Sequence, residues 1–89
     1  MAFYVYILQS EADNSFYKGF TENPVKRLQQ HNNGEMQYSS TKLPWKLVYV
    51  ELFASKTEAL IREKNLKKAT RERLLHIINS SKNIIIQFI

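Results

Sequence analysis

The apolar positions of this chain change rhythm from one stretch to the next, and each rhythm predicts an element. Residues 3–9, FYVYILQ, are aromatic and β-branched and predict a strand. The polar stretch Glu11-Ala-Asp-Asn-Ser15 predicts a turn, and residues 16–20, FYKGF, predict the returning strand of a hairpin. Asn23 is a good helix N-cap and Pro24 suits the first helical position, where its missing N–H costs nothing. That helix should run to about Asn33, with Gly34 as its left-handed stop. Residues 35–44 form a polar loop. Residues 45–53, WKLVYVELF, predict a third strand, and their nearly continuous apolar run places it centrally in the sheet. Ser55-Lys-Thr-Glu58 is a capping box that opens a second helix ending near Lys68. Thr70 can cap a third helix through about Asn79. The tail Ile84-Ile-Ile-Gln-Phe-Ile89 is apolar and β-prone, so it either packs onto the body as a strand or offers an edge for dimerisation of an otherwise monomeric chain. The order ββαβαα predicts a small α/β (α+β) domain over residues 1–80, an antiparallel sheet with three helices, followed by the tail at 81–89.

Face patterns bring chemistry-bearing residues together. Alternate residues of a strand share a face, so Tyr4 and Tyr6 lie on one side of the first strand, with Phe3, Val5 and Ile7 on the other. In the second strand Tyr17 and Gly19 share a face opposite Phe16, Lys18 and Phe20. Tyr6 and Tyr17 can meet across the hairpin with open space beside them at Gly19, although a pair that merely packs would look the same. Arg27 and His31 stand four apart and stack on one helix face. Arginine offers a forked donor to phosphate, and histidine can move a proton near neutral pH. Two exposed polar residues would share that spacing. On the second helix Ala59, Leu60, Glu63 and Leu66 fall in one stripe, far from Glu58. A carboxylate on an apolar stripe needs a partner, either an arginine or a divalent metal ion. His76 has no second ligand at metal-binding spacing and reads as a surface or half-buried helix residue. The hydroxyls of Tyr38-Ser-Ser-Thr41 can touch a phosphate, although an ordinary polar loop looks the same.

Composition and charge narrow the classes. Eighty-nine residues make one domain, 44% hydrophobic, and the absence of cysteine excludes both a disulfide scaffold and a cysteine-ligated zinc site. The N-terminus lacks the basic start and long apolar core of a signal peptide, and no apolar run approaches the ~20 residues that span a bilayer. A soluble, cytoplasmic protein without a membrane partner is expected. The net charge is +5, and its excess lies beyond the first hairpin, densest from Arg62 to Arg73. Such clustering points to a polyanion through counterion release, although on charge alone a solvated basic helix face accounts for it slightly better. Glycine-rich phosphate loops and Ser/His/Asp arrangements are absent.

With these positions in view, the chain resembles a GIY-YIG endonuclease domain of the small stand-alone branch. Tyr4-Val-Tyr6 stands for the first signature and Tyr17-Lys-Gly19 for the second, followed by Arg27, His31, Tyr38-Ser-Ser, Leu47-Val-Tyr-Val-Glu51 and Glu58-Ala-Leu-Ile-Arg-Glu-Lys-Asn-Leu-Lys-Lys68. The likeness spans residues 2–75. Lys18 replaces the apolar middle residue of the second signature, Phe20 stands where many members carry a basic residue, and Asn79 is the nearest counterpart of a downstream asparagine. The resemblance implies a three-stranded antiparallel sheet flanked by helices and a one-metal phosphodiesterase site, with Glu63 holding Mg²⁺ or Mn²⁺. Tyr6, Tyr17, Arg27 and His31 would surround the scissile phosphate, a tyrosine acting with His31 as base and Arg27 bracing developing charge. Lys26, Tyr38, Lys64, Lys67, Lys68, Arg71 and Arg73 would contact the nucleic acid, DNA rather than RNA. The implied function is endonucleolytic hydrolysis of structured or damaged DNA, with a catalytically weak nucleic-acid-binding module as the alternative.

Overall fold

The computed structural model describes residues 2–88. Its sheet has three antiparallel strands, β1 (Phe3–Ser10), β2 (Phe16–Thr21) and β3 (Trp45–Phe53), in the order β2-β1-β3. Helix α1 (Pro24–Asn32) follows β2, and α2 (Lys56–Lys68) and α3 (Arg71–Ile78) follow β3. This is the ββαβαα order and the mixed α/β class the sequence predicts.

Local side-chain chemistry sets the boundaries. Asn23, Ser55 and Thr70 each accept a backbone N–H of the first turn they precede, from Lys26, Glu58 and Arg73. After α1, Gly34 has φ +74°, its N–H reaches the His31 carbonyl, and the Glu35 N–H reaches the Gln30 carbonyl. That paired closure is available cheaply only with glycine at the left-handed position. In the β1–β2 turn Asn14 takes φ 63°, a conformation asparagine tolerates better than most residues.

The two faces of β1 separate two packing clusters. Val5 and Ile7 face Tyr49, Ala59, Leu66, Leu74 and Ile77, which seat α2 and α3. Tyr6 and Leu8 face the other way, toward Trp45, Tyr17, Leu28 and Leu43, beneath α1 and a short 3-10 helix at Ser39–Lys42. On the first face the Tyr49 hydroxyl donates to Glu51 at 2.5 Å, and Arg62 Nε donates to the same carboxylate at 3.0 Å. Burial, reinforced by that hydrogen bond, pushes the Tyr49 phenol up to about 12.

The central strand is β1, which corrects the placement of β3 at the centre. Val5, Ile7 and Leu8 have no exposed surface and Tyr6 only 2%. β3 is an outer strand whose apolar run has two separate causes. A bulge opposite Ile7/Leu8 breaks its alternation, so that Val48 and Tyr49 both pack with the α2–α3 side. Asn83 then covers its free edge: the Oδ1 accepts the Val50 and Ile85 N–H groups, and the Nδ2 donates to the Val48 and Ile78 carbonyls. The expected terminal strand is also corrected. The Ile84 N–H reaches the Val50 carbonyl, but Ile85–Phe88 then turns into a short 3-10 helix, and Phe88 packs edge-on against Tyr4 at 5.6 Å. One side chain has already used the edge groups a strand would need. Ile89, the last residue of the expected tail, lies outside the described residues.

Replacing Asn83 by alanine would leave partly buried backbone groups of β3 without partners, at about 1–3 kcal/mol per orphaned group. Urea denaturation should show Asn83→Ala destabilised by at least about 2 kcal/mol, with a smaller loss for Asn83→Asp, which keeps the acceptor. A loss within experimental error for alanine would mean that the clamp carries no stability.

Candidate active site

The site is built on the face of the sheet that carries Tyr6. In the β1–β2 ladder Tyr6 lies directly opposite Gly19. A Cβ at position 19 would stand 2.5 Å from the Tyr6 Oη and 2.6 Å from its Cζ. The glycine therefore lets the phenol ring lie flat across β2, and the space expected to be open beside Gly19 is filled by that ring. Tyr17, on the same face two residues earlier, stands with its ring 6.3 Å from Tyr6 and 4.6 Å from His31.

His31 has no exposed surface. Its Nε2 lies 3.1 Å from the Tyr6 hydroxyl and its Nδ1 lies 2.6 Å from the Ser39 Oγ. One arrangement uses every proton: the Ser39 hydroxyl donates to the Met36 carbonyl at 3.3 Å, His31 Nδ1–H donates to Ser39, and Nε2 accepts from Tyr6. This assigns the Nδ1–H tautomer from the hydrogen-bond network. Burial first, then the nearby Arg27 guanidinium, holds the imidazole below its usual pKa. His31 is thus a neutral acceptor aimed at a phenol.

Arg27 and Glu63 complete the group by field rather than by contact. Burial drives the Tyr6 phenol well above the ordinary tyrosine range, with the neighbouring Tyr17 and the Glu63 carboxylate pushing the same way and Arg27 opposing. Arg27 is half-buried and forms no ion pair among the described residues. Glu63 lies on the stripe between buried Ala59 and Leu66, and its side chain keeps 19% of its surface exposed. Its partner is Lys67, one turn along, at 3.6 Å; the arginine of this helix, Arg62, is committed to Glu51. No group of three His, Cys, Asp or Glu among the described residues could cage a metal ion. A single accessible carboxylate fits an ion that keeps most of its waters and completes its shell with a phosphate, which is the habit of Mg²⁺. It does not fit a zinc or calcium cage.

Two residues of the site were missed or misassigned by sequence reasoning. Ser39, taken as a phosphate-touching hydroxyl, has no exposed surface and is spent on His31. Trp45 was read only as a strand residue. Its indole N–H donates to the Ser39 carbonyl, and its ring stands 6.2 Å from Tyr17 and 6.5 Å from His31. No spacing rule links either residue to His31. A Trp opening a strand beside a helix that ends in Asn32 was the available hint, since Asn32 clasps both the N–H and the carbonyl of Trp45.

The basic residues expected at the nucleic acid do not make one track. Lys67 lies at the cleft, lining a groove with Phe16, Tyr17, Lys18 and Tyr38. Lys26, beside Arg27, and Lys64, beside Glu63, are exposed. Lys68 and Arg73 line a different depression with Arg62 and Asn65. Arg71 ties down the hairpin, donating to the Asn14 carbonyl at 2.8 Å and lying 4.7 Å over the Phe16 ring. Asn79 bonds the Leu75 carbonyl at the end of α3.

This architecture is that of a small α/β scaffold with a hydrogen-bonded Tyr6–His31 pair on one face of its sheet. The sequence profile of the GIY-YIG catalytic domain matches residues 2–76, and the chain belongs to that family, a nuclease fold. It is 49% identical over 78 residues to the UPF0213 protein CPE1444 of Clostridium perfringens, covering 86% of this chain and 83% of the relative. It is 43% identical over 76 residues to the UPF0213 protein SH2523 of Staphylococcus haemolyticus, covering 84% and 92%. The solution NMR structure of the UPF0213 protein BH0048 from Bacillus halodurans superposes with a TM-score of 0.60 at 31% identity, covering 92% of this chain and 87% of that one. No helix among the described residues is long and apolar enough to cross a membrane.

Gly19→Ala should drive the Tyr6 ring off β2 and break its bond to His31 while leaving the α2–α3 cluster intact. The expected readout is a large NMR shift of the His31 ring with small shifts at Leu66 and Ile77; unmoved His31 resonances would refute the close approach.

The His31 environment also predicts the sign of a pH effect. Its folded pKa lies below the unfolded value near 6.5. Below that pH the unfolded chain binds the extra proton, so the contribution is complete above pH 6.5 and is lost as pH falls toward the depressed folded value. Urea midpoints should therefore fall between about pH 6.5 and pH 5, less so for His31→Gln. NMR titration of the wild-type ring at or above its usual pKa would refute the assignment.

Proposed function

We propose that this chain is a divalent-metal-dependent endonuclease that hydrolyses phosphodiester bonds in structured or damaged DNA. The observation that carries the reading is the buried Tyr6–His31–Ser39 relay, with Arg27 and Glu63 both acting on the same phenol. In this reading Glu63 holds Mg²⁺ or Mn²⁺, which when bound polarises the phosphate and stabilises the departing oxygen. Arg27, free of other ion pairs among the described residues, braces the charge that grows on the phosphate oxygens. The Tyr17 hydroxyl orients the phosphate from the cleft wall.

The raised phenol pKa rules the form of base catalysis. Tyr6 does not stand as a phenolate in the free protein, so it works by handing a proton on. As water attacks phosphorus, its proton passes to the Tyr6 oxygen while the Tyr6 proton passes to His31 Nε2. The imidazolium so formed keeps Nδ1–H on Ser39. The phosphorus–oxygen bond to the leaving sugar breaks, and that oxygen takes its proton from solvent.

A weaker reading is a nucleic-acid-binding module that cuts slowly or not at all. Two observations favour it: Glu63 is engaged by Lys67, and the phenol is hard to ionise. In either case this chain would act in the cytoplasm, as a monomer or as a tail-mediated dimer.

Labelled branched, nicked and linear DNA should be cut by the wild type with Mg²⁺ or Mn²⁺ and spared in EDTA. Glu63→Gln and Tyr6→Phe should each slow cleavage by at least about 100-fold, with Arg27→Ala similarly impaired. Equal rates for wild type and Glu63→Gln would end the metal role. Salt-sensitive binding without cleavage under either ion would select the binding module.

A further inference from the structure

We propose that the groove along the outer edge of β2 binds an unpaired nucleotide by stacking its base on Tyr38, so that the substrate presents single-stranded DNA beside the scissile phosphate. The proposal deepens the reading of the cleft as a phosphodiester-cleaving site and rests on it for the word scissile, but the stacking can be tested by binding alone.

Tyr38 is the observation that starts it. The other Phe, Tyr and Trp rings among the described residues are buried or half-buried, whereas Tyr38 keeps 66% of its surface exposed. Leaving a large ring in water forgoes favourable burial, yet the backbone that carries this one leads straight into an anchored residue. The next residue, Ser39, has no exposed surface and is anchored to His31, Met36 and Trp45. Tyr38 caps the short 3-10 helix, its ring lies 6.0 Å from that of Tyr17, and the Lys42 ammonium stands 5.8 Å from its centroid. Such pre-ordering lowers the entropy lost when a ligand docks.

The surroundings name the ligand. Phe16, Tyr17, Lys18, Tyr38 and Lys67 line an open groove of about 360 Å³. Aromatic faces interleaved with lysines are the combination that takes a single strand: bases stack, and cations follow the phosphates. Burial, with Lys67 nearby, lowers the Lys18 pKa, as befits two ammonium groups crowded where an anion would relieve them. β2 is a terminal strand, so a chain can run along its edge without displacing another strand. A strand stacked on Tyr38 lies next to Tyr17, and Tyr17 lies next to His31. A continuous duplex hides both faces of each base and must unstack to offer one, which costs a few kcal/mol; a flap, gap or loop does not. The groove therefore selects an unpaired strand.

The test is fluorescence anisotropy in EDTA, so that cutting plays no part. The probes are an oligothymidylate of about 12 nucleotides and a mixed-sequence duplex of the same length. Wild type should bind the single strand at least about tenfold more tightly than the duplex, and Tyr38→Ala should lose about tenfold on the single strand while changing duplex binding by less than about twofold. Tyr38→Phe should retain wild-type affinity because it keeps the ring. Equal binding of both probes by wild type, an unchanged single-strand affinity in Tyr38→Ala, or an equal loss on both probes would overturn the proposal. Tyr38 is exposed, so its removal should leave the fold intact, and an unchanged urea midpoint checks this. Cleavage assays of Glu63→Gln judge the nuclease reading separately: the groove can fail while cutting persists, or stack a strand that is never cut.

Discussion

Both nitrogens of a fully buried imidazole are occupied by side chains from separate elements, and the rest of the site depends on that constraint. Tyr6 comes from β1, His31 from α1 and Ser39 from the 3-10 helix before β3. An orphaned nitrogen at such depth would carry the full cost of desolvation, so the three elements are positioned together or not at all. Gly19 makes the arrangement possible by offering no side chain where the Tyr6 ring must lie. Trp45 and Asn32 reinforce it from the side, one bonding the Ser39 carbonyl and the other clasping the Trp45 backbone. Buried polar side chains in this fold have hydrogen-bond partners among the described residues. Tyr6, His31 and Ser39 thus form a satisfied network, which makes the group rigid.

The sheet divides labour between its faces. The cluster of Val5, Ile7, Tyr49, Leu66, Leu74 and Ile77 is almost wholly apolar and carries the packing of α2 and α3. The opposite cluster is smaller and surrounds polar groups that must be held at defined distances. Glu63 bridges the two worlds. It belongs to α2, whose apolar stripe docks on the first face, yet its negative charge adds to the raised pKa of the Tyr6 phenol on the second. The outer position of β2 explains how: α2 packs against both β1 and β2, and Lys67, one turn from Glu63, lines the groove with residues of β2. A β2 buried between other strands would have kept the acid away from the relay.

What was legible in the sequence was local. Asn23, Ser55, Thr70 and Gly34 fixed helix ends because each acts on backbone within a few residues of itself. The faces of Tyr6, Tyr17, Arg27, His31 and Glu63 followed from periodicity alone. What failed depended on contacts distant in sequence. β3 reads as a central strand because a bulge and the Asn83 clamp conceal its edge, and Asn83 lies 33 residues from Val50. Ser39 looks like a solvent-facing loop hydroxyl until the fold brings it to His31. The basic run from Arg62 to Arg73 looks continuous on paper, but Arg62 and Arg71 are spent on structure, and Lys68 and Arg73 turn to another surface. Charge counts cannot separate a cation that braces the fold from one that waits for phosphate.

Tyr38 and Ser39 place an exposed ring and a buried hydroxyl side by side, which would couple the proposed binding to the proposed chemistry. The two residues are adjacent, yet one ring projects into water and the other hydroxyl is buried against His31. Tyr38 starts the 3-10 helix that positions Ser39, so the rim of the cleft and its floor are joined by a single peptide bond. In the proposed reading, a strand held on that ring would be registered to Tyr6 and His31 through that bond. The same linkage works in reverse: a strand that pulled Tyr38 outward would draw Ser39 from Nδ1 and weaken the tautomer that lets Nε2 accept a proton. Productive binding is therefore binding that leaves the 3-10 helix where it stands. An unpaired nucleotide can meet that condition, because it can rotate about its own backbone to present a base face to the ring, whereas a paired one must first leave its stack.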